Sequence, residues 1–347
     1  MTDADQALSV SDAAADARPQ SFALAEMVAC EICQRRNPPT CANCLYCAAI
    51  LPATDNAGLP EPERASAAQS NPTLDVDSGF YVVLAAHQTA AIDESSLVEI
   101  AGLLNLATAE VKSAVNLDVP APLLRAARFE QATQLNAKLQ ALGIEADIIP
   151  ADTLNLELPT QRIRALEFSD ADLAATLLTG EKVSVPWSDL ILIVSGHLLV
   201  NRKELKDRQR RGRSKPVDSR ELFSDESLID LYTGSADPGW RISPSSFDFS
   251  CLGSEKALTA FENLATLIKL LKMRAPHVEV NDAYRRLRPV LANIWPLESQ
   301  TKKGERRRSG VGKVDADTIT TTDNEVQFQS YSRLLQRMKT RELEGDR

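Results

Sequence analysis

The stretch LILIVSGHLLV, residues 190–200, decides how the larger part of the chain is read. It reads as one long apolar strand or a strand pair. Shorter β-rich runs flank it. Residues 162–168 and 173–179 precede it, and Gly180 then turns the chain into Val183-Ser184-Val185. Residues 227–233, 240–243 and 247–250 follow. A helix is predicted over 255–273, with Ser254 as its cap and Leu258, Phe261, Ala265 and Ile268 as its buried stripe. Pro276 ends it. Asn281 caps a further helix, DAYRRLRPVLANIW, which Pro289 kinks or restarts. Tyr284, Leu287, Leu291 and Trp295 dock this helix on the same domain. Residues 158–296 are therefore predicted as a β-rich barrel or sandwich closed by helices.

Upstream, residues 79–151 read as a small α/β module. FYVVL at 80–84 is its first strand. Asp93 can cap a helix with Leu97, Ile100, Ala101 and Leu104 on one face. Thr108 can cap a second, short helix through Val111 and Val115, which Pro120 and Pro122 break. A third helix is predicted over 125–142, stopped by Gly143. Ile144, Ala146 and Ile148 then alternate as a strand. The expected order is strand, helix, helix, helix, strand.

The remaining segments look unlike these. Residues 1–28 form an acidic, Ala- and Ser-rich tail expected to be disordered. Residues 53–78 contain Pro60, Pro62 and Pro72 without periodicity and read as a linker. Residues 297–347 read as a mostly disordered basic tail with a short helix at 326–339. The predicted fold class is thus α+β and multidomain.

Five of the six cysteines fall in CEICQRRNPPTCANCLYCAAILP, residues 30–52. Cys30 and Cys33 make one C-x2-C pair, and Cys44 and Cys47 a second. Two such pairs can close a tetrahedral tetrathiolate site for a structural zinc ion. Cys41 and Cys44 share the same spacing, so spacing alone leaves the second pair open. A reduced or redox-active thiol cluster is the alternative. The Asn-Pro-Pro turn at 37–39 and the Leu-Pro exit make residues 29–52 resemble the short zinc-ribbon family. The resemblance favours Cys30, Cys33, Cys44 and Cys47 as ligands and leaves Cys41 spare. The family's usual Gly after each second cysteine is replaced by Gln34 and Ala48.

Two further resemblances cover the larger modules. FYVVL at 80–84, TAEVK at 108–112, PAPLL at 120–124 and LGIEADI at 142–148 resemble the C-terminal domain of the bacterial ribosomal stalk protein. That family recruits translation factors through basic residues on its first helix. Here that helix, DESSLVEIAGLLN, has none, and only Lys112 matches the second-helix lysine. The resemblance therefore implies the fold and not the factor-binding site. Several short strands closed by one helix, with VPWSDLILI at 185–193, resemble the pleckstrin-homology-like architecture. The loop that is basic in its lipid-binding members is Ser169-Asp170-Ala171-Asp172 here, so phosphoinositide binding is disfavoured.

Bulk properties bound the function. The 347 residues allow two or three domains, and 44% apolar residues allow sizeable cores. A net charge of −9 disfavours wholesale nucleic-acid or membrane-surface binding. No apolar run is long enough to span a bilayer, and the acidic N-terminus lacks a signal-peptide pattern, so a cytoplasmic protein is expected. The run RKELKDRQRRGRSK at 202–215 and the cluster at 302–308 read as flexible, solvated loops, with nucleic acid as the alternative ligand. His87, His197 and His277 lie far apart and show no metal-ligand spacing. Cys251 lies before a helix, where a thiol can be activated. No phosphate-cradling loop and no nucleophile motif occurs. The expectation is a non-enzymatic zinc-binding adaptor for protein partners. The alternatives are a nucleic-acid- or ribosome-associated factor, and a thiol-dependent enzyme using Cys251, with His197 as its partner.

Overall fold

The computed structural model describes residues 28–29, 36–37, 78–86, 88, 92–210, 213–234, 238–303, 307–310 and 313–345; positions 29, 37, 206–210, 213–218, 307–310 and 313–317 are described as backbone. The chain divides into two compact units, residues 1–63 and 64–347. In the first, β1 (Val28–Ala29) pairs antiparallel with β2 (Arg36–Asn37). The tail at 1–28, the ribbon at 29–52 and the linker at 53–78 otherwise lie outside the described residues.

The second unit begins with β3 (Phe80–Leu84), α1 (Glu94–Leu104), α2 (Thr108–Asn116), β4 (Ala121–Ala126), α3 (Phe129–Ala141) and β5 (Ala146–Pro150). Asp93 caps α1 by accepting the Ser96 N–H at 2.7 Å. The Glu110 carboxylate accepts the Ala107 N–H at the start of α2. The segment at 121–126 is a strand where a break and a helix start were expected. The three strands run in the order β4-β3-β5, so β4 is an edge strand, and an edge tolerates the missing N–H of Pro122.

A curled, half-barrel sheet follows. Its elements are β6 (Gln161–Phe168), β7 (Asp172–Leu177), β8 (Lys182–Pro186), β9 (Leu190–Arg210), β10 (Arg213–Thr233) and β11 (Trp240–Ile242). Helix α4 (Ala260–Arg274), β12 (Glu279–Asn281) and α5 (Tyr284–Ile294) come next. The chain then adds β13 (Glu298–Lys303), β14 (Arg307–Gly310), β15 (Lys313–Asp323) and α6 (Glu325–Gly345). The strand order is β13-β15-β9-β10-β11-β6-β7-β8, with β12 on β9 and β14 on β15. Most neighbours are antiparallel; β11 runs parallel to β6, and β12 to β9.

The largest departure from expectation is β9. Its apolar start, 190–200, continues unbroken through the charged residues to Arg210, and β10 returns beside it over 21 residues. At about 3.3 Å per residue, each strand is ~70 Å long. Residues 202–210 and 213–215 are therefore strand, not loop. Residues 298–303 and 313–323, expected to be disordered, are also strands, and β15 pairs with β9 from Val200 to Arg210. The 247–250 run is not a strand: Phe249–Glu255 form 3-10 turns.

Alternation along β10 separates two cores. Ile229 and Leu231 face a cluster that includes Ile163, Leu173, Trp240 and the α4 leucines. Leu228 and Tyr232 face a second cluster. That one runs continuously from β3, α1 and α2 through α5 to Phe328, Tyr331 and Leu334 of α6. The 79–151 module thus shares its core with helices from the far end of the chain. A polar thread joins the same parts. Trp295 Nε1 donates to the Tyr81 hydroxyl at 3.0 Å, and Gln327 Nε2 donates to the Trp295 carbonyl at 2.8 Å.

Candidate functional site

Helix α4 carries the feature that bears most directly on partners. It starts at Ala260 and not near 255, because Thr259 accepts the Glu262 N–H and Asn263 clamps Ala257 in both directions, at 2.7 and 3.1 Å. The sequence offers two apolar stripes on this helix. The sheet takes Leu264, Leu267 and Leu271, together with Asn263. The stripe expected to be buried is turned outward: Leu258 is fully exposed, Phe261 is 67% exposed and Ala265 is exposed, while Ile268 is half-buried. Met273, 62% exposed, lies near the far end of the helix, off this face. Phe261, Ala265 and Ile268 follow i, i+4, i+7 spacing, so they share one helical face. A run of large apolar residues facing water is a recognised mark of an interaction surface.

The deepest polar site lies under α6. Asp230 and Arg241 stand directly opposite one another on β10 and β11. Both are buried, and the guanidinium grips the carboxylate through two bonds of 2.8 and 2.9 Å. Helix α6 completes the cluster with residues on a single face. Ser332 donates to Asp230 Oδ2 at 2.9 Å, Glu325 accepts from Arg241 Nη1 at 3.3 Å, and the Phe328 ring lies 5.2 Å from the guanidinium. Glu325 also accepts from Arg162, the register neighbour of Arg241 on β6. Burial and the Asp230 charge push the Tyr232 phenol above its ordinary range. Burial works against the Arg241 charge, but Asp230 outweighs it and holds the guanidinium protonated more firmly than usual. A carboxylate so fully occupied has no position left for a substrate proton. The arrangement locks a helix to a sheet and offers no acid–base couple.

Beside it, Thr153, Asn155, Arg333, Gln336, Arg337 and Thr340 line a cleft of about 230 Å³. Arg333 spends Nη1 on Gln336 and Nη2 on the Leu158 carbonyl, and burial lowers its pKa. The cleft is smaller than the ~300–1,000 Å³ of ordinary small-molecule sites and gathers no carboxylate.

The nominated residues fall as follows. Cys30, Cys33, Cys41, Cys44, Cys47 and His87 lie outside the described residues. Among the described residues, no group of three or more His, Cys, Asp or Glu side chains could hold a metal ion. Cys251 is half-buried in the 3-10 turns before α4, and burial pushes its thiol up to about 11, the reverse of activation. His197 lies on β9, 3.3 Å from both Asp225 and Ser227 on β10. His277 is exposed. Lys112 is exposed on α2, 3.7 Å from Glu94. The 169–171 turn joins β6 to β7, and Asp170 is met by Arg274 at 3.6 Å. Sequence reasoning missed the Asp230–Arg241 pair. Its available signal was one opposite charge embedded in each of two apolar runs, LIDLY and WRI. No helix of the described residues is long and apolar enough to cross a membrane.

No protein-family model matches the sequence, and neither does any curated protein or any solved structure.

Proposed function

We propose that the protein is a non-enzymatic, cytoplasmic, zinc-binding adaptor that holds protein partners. The observation that carries this reading is the outward apolar stripe of α4, seated on a helix whose other face is anchored in the core. The closed Asp230–Arg241 cluster and the raised thiol of Cys251 support the non-enzymatic part. Partner capture is tested by placing a photoreactive benzoylphenylalanine at Phe261 in cells. A discrete protein adduct is expected, lost on Leu258→Asp and absent when the probe sits at Lys182 on β8. No adduct at 261 overturns the reading.

Zinc is assigned to Cys30, Cys33, Cys44 and Cys47. The β1–β2 pair supports this, because it brackets residues 30–35, which hold the first C-x2-C. Metal analysis of the full chain is expected to find one zinc ion, removable by chelator. Cys47→Ser should lose the ion and Cys41→Ser should keep it. The opposite pattern would move the second pair to Cys41 and Cys44, and no zinc in the wild-type chain would remove the assignment.

The stalk-like reading of 79–151 is supported by its motifs falling on regular elements: FYVVL is β3, TAEVK opens α2 and ADI lies in β5. The pleckstrin-homology-like reading of 158–296 is supported by the curled sheet with α4 packed on it.

A further inference from the structure

On the reading that the outward apolar line of α4 holds a protein partner, the charges beside that line say which partner. At 3.6 residues per turn, Phe261, Ala265, Ile268 and Lys272 fall within a sector of about 60°. Glu262 and Lys269 lie roughly 80° round from that line, both on the same flank. They are seven residues apart, so they occupy equivalent positions two turns from each other. Both are exposed. The Thr259 hydroxyl donates to the Glu262 carboxylate at 2.7 Å and holds it at the start of the helix. Lys272 donates to the Val278 carbonyl, so Lys269 is the cation that this flank presents outward. The opposite flank carries Leu264 and Leu271, which are buried in the core.

An acid and a base at equivalent positions on one flank make the surface complementary to itself. A two-fold axis level with Ala265 and Thr266 sets a second α4 antiparallel to the first. In an antiparallel helix pair each flank meets the same flank of its partner, so Glu262 of each copy comes beside Lys269 of the other. A parallel pair sets this flank against the opposite one and makes neither contact. The apolar line agrees with the same axis. Phe261 of each copy comes level with Ile268 of the other, and the small Ala265 lies at the crossing, where it lets the two helices approach closely. Such an interface is isologous and closes at two copies.

The two kinds of contact divide the work. Burial of the Phe261 rings supplies the attraction, because a large apolar side chain gains most by leaving water. The exposed ion pairs add little affinity, but wrong pairings of like charge are costly, so the charges select orientation and partner. A face one helix wide is smaller than the interfaces of permanent complexes, and the association should be reversible. We infer that α4 is a homodimerisation helix: two copies of the chain pack antiparallel through Phe261, Ala265 and Ile268, with Glu262 of each paired to Lys269 of the other.

The test is sedimentation equilibrium of the purified full-length protein across the micromolar range, where a reversible monomer–dimer equilibrium is expected. Glu262→Lys and Lys269→Glu should each dimerise at least about tenfold more weakly, because each sets like charges together twice. An equimolar mixture of these two variants should recover the wild-type association as a heterodimer, since every pair is opposite again. Phe261→Asp, at an exposed position that leaves the Thr259–Glu262 cap intact, should be monomeric and as helical as the wild type by circular dichroism. A wild-type chain that stays monomeric overturns the inference. So does a Phe261→Asp variant that still dimerises, or a mixture that associates no better than its components. The benzoylphenylalanine adduct at position 261 separates this inference from the reading beneath it. An adduct with a different protein, beside a monomeric purified chain, overturns the homodimer and leaves partner binding standing; a monomer with no adduct removes both.

Discussion

Arg241→Ala is expected to cost the 64–347 unit about 3–5 kcal/mol, the range for breaking one side of a buried ion pair. The reason is geometric. Asp230 sits at 0% exposure on the sheet face that also carries Leu228 and Tyr232. Without the guanidinium, its remaining partners are the Ser332 hydroxyl at 2.9 Å and the Tyr232 hydroxyl at 3.5 Å, neither of which neutralises a carboxylate. The loss reaches further than one pair. Glu325 and Phe328 both rest on the same guanidinium, so the first turn of α6 loses its seat. Urea unfolding, read by circular dichroism, would measure the cost. The double replacement Asp230→Leu/Arg241→Met tests the account, because removing both charges together costs far less than removing one. A single-variant loss under about 1 kcal/mol, or a double variant worse than the single, would refute it.

The second large effect is expected at Gly196. A Cβ there would lie 2.3 to 2.6 Å from three ring carbons of Phe328. The ring has nowhere to go. It is fully buried, its centroid is 5.0 Å from that of Tyr284, and Arg241 covers it. Gly196→Ala should therefore cost about 3 kcal/mol, at the upper end for overpacking a rigid core. The clash is with one side chain, so Phe328→Leu should be less harmful in the Gly196→Ala background than in the wild type. A double-mutant cycle by urea unfolding measures that coupling. Strict additivity of the two changes would show that the glycine is there for another reason.

The parts of the fold that were legible in the sequence are those whose cause is local. The cap at Asp93, the hairpin around Gly180 and the apolar strand at 190–200 all announce themselves within a few residues, whereas Thr108, expected as the cap of α2, is its first helical residue and follows Ala107 as the N-cap. The second half of β9 does not announce itself. Its sequence alternates charges and offers no apolar stripe, and it is strand because β10 and the distant β15 pair with it. The Thr-rich segment TITTT at 318–322 had β-branched propensity, but its polarity argued for disorder until a partner strand was present. Pro120 and Pro122 were read as breakers because nothing local says that a segment will be an edge strand. On α4, two apolar stripes lie side by side, and only the surface of the sheet could decide between Leu264-Leu267-Leu271 and Phe261-Ala265-Ile268. The outward stripe, the Asp230–Arg241 pair and the pairing of β15 with β9 all depend on contacts between segments far apart in sequence, which periodicity cannot report.

The late position of α6 sets a timetable for biosynthesis. Its side chains complete the seat of Asp230, cover Gly196 and, through Tyr331, reach the Pro120 carbonyl 211 residues upstream at 3.4 Å. A growing chain can form the β3–β5 sheet early, but the apolar faces of β9, β10 and α5 must wait for residues 325–345 to leave the ribosome. Until then the nascent polypeptide displays a half-built interior with a buried-type ion pair open to water. Contacts of such long sequence separation also slow the final step. The protein should accordingly depend on chaperone protection during synthesis, and chains released before Glu325 should be cleared by proteolysis rather than accumulate.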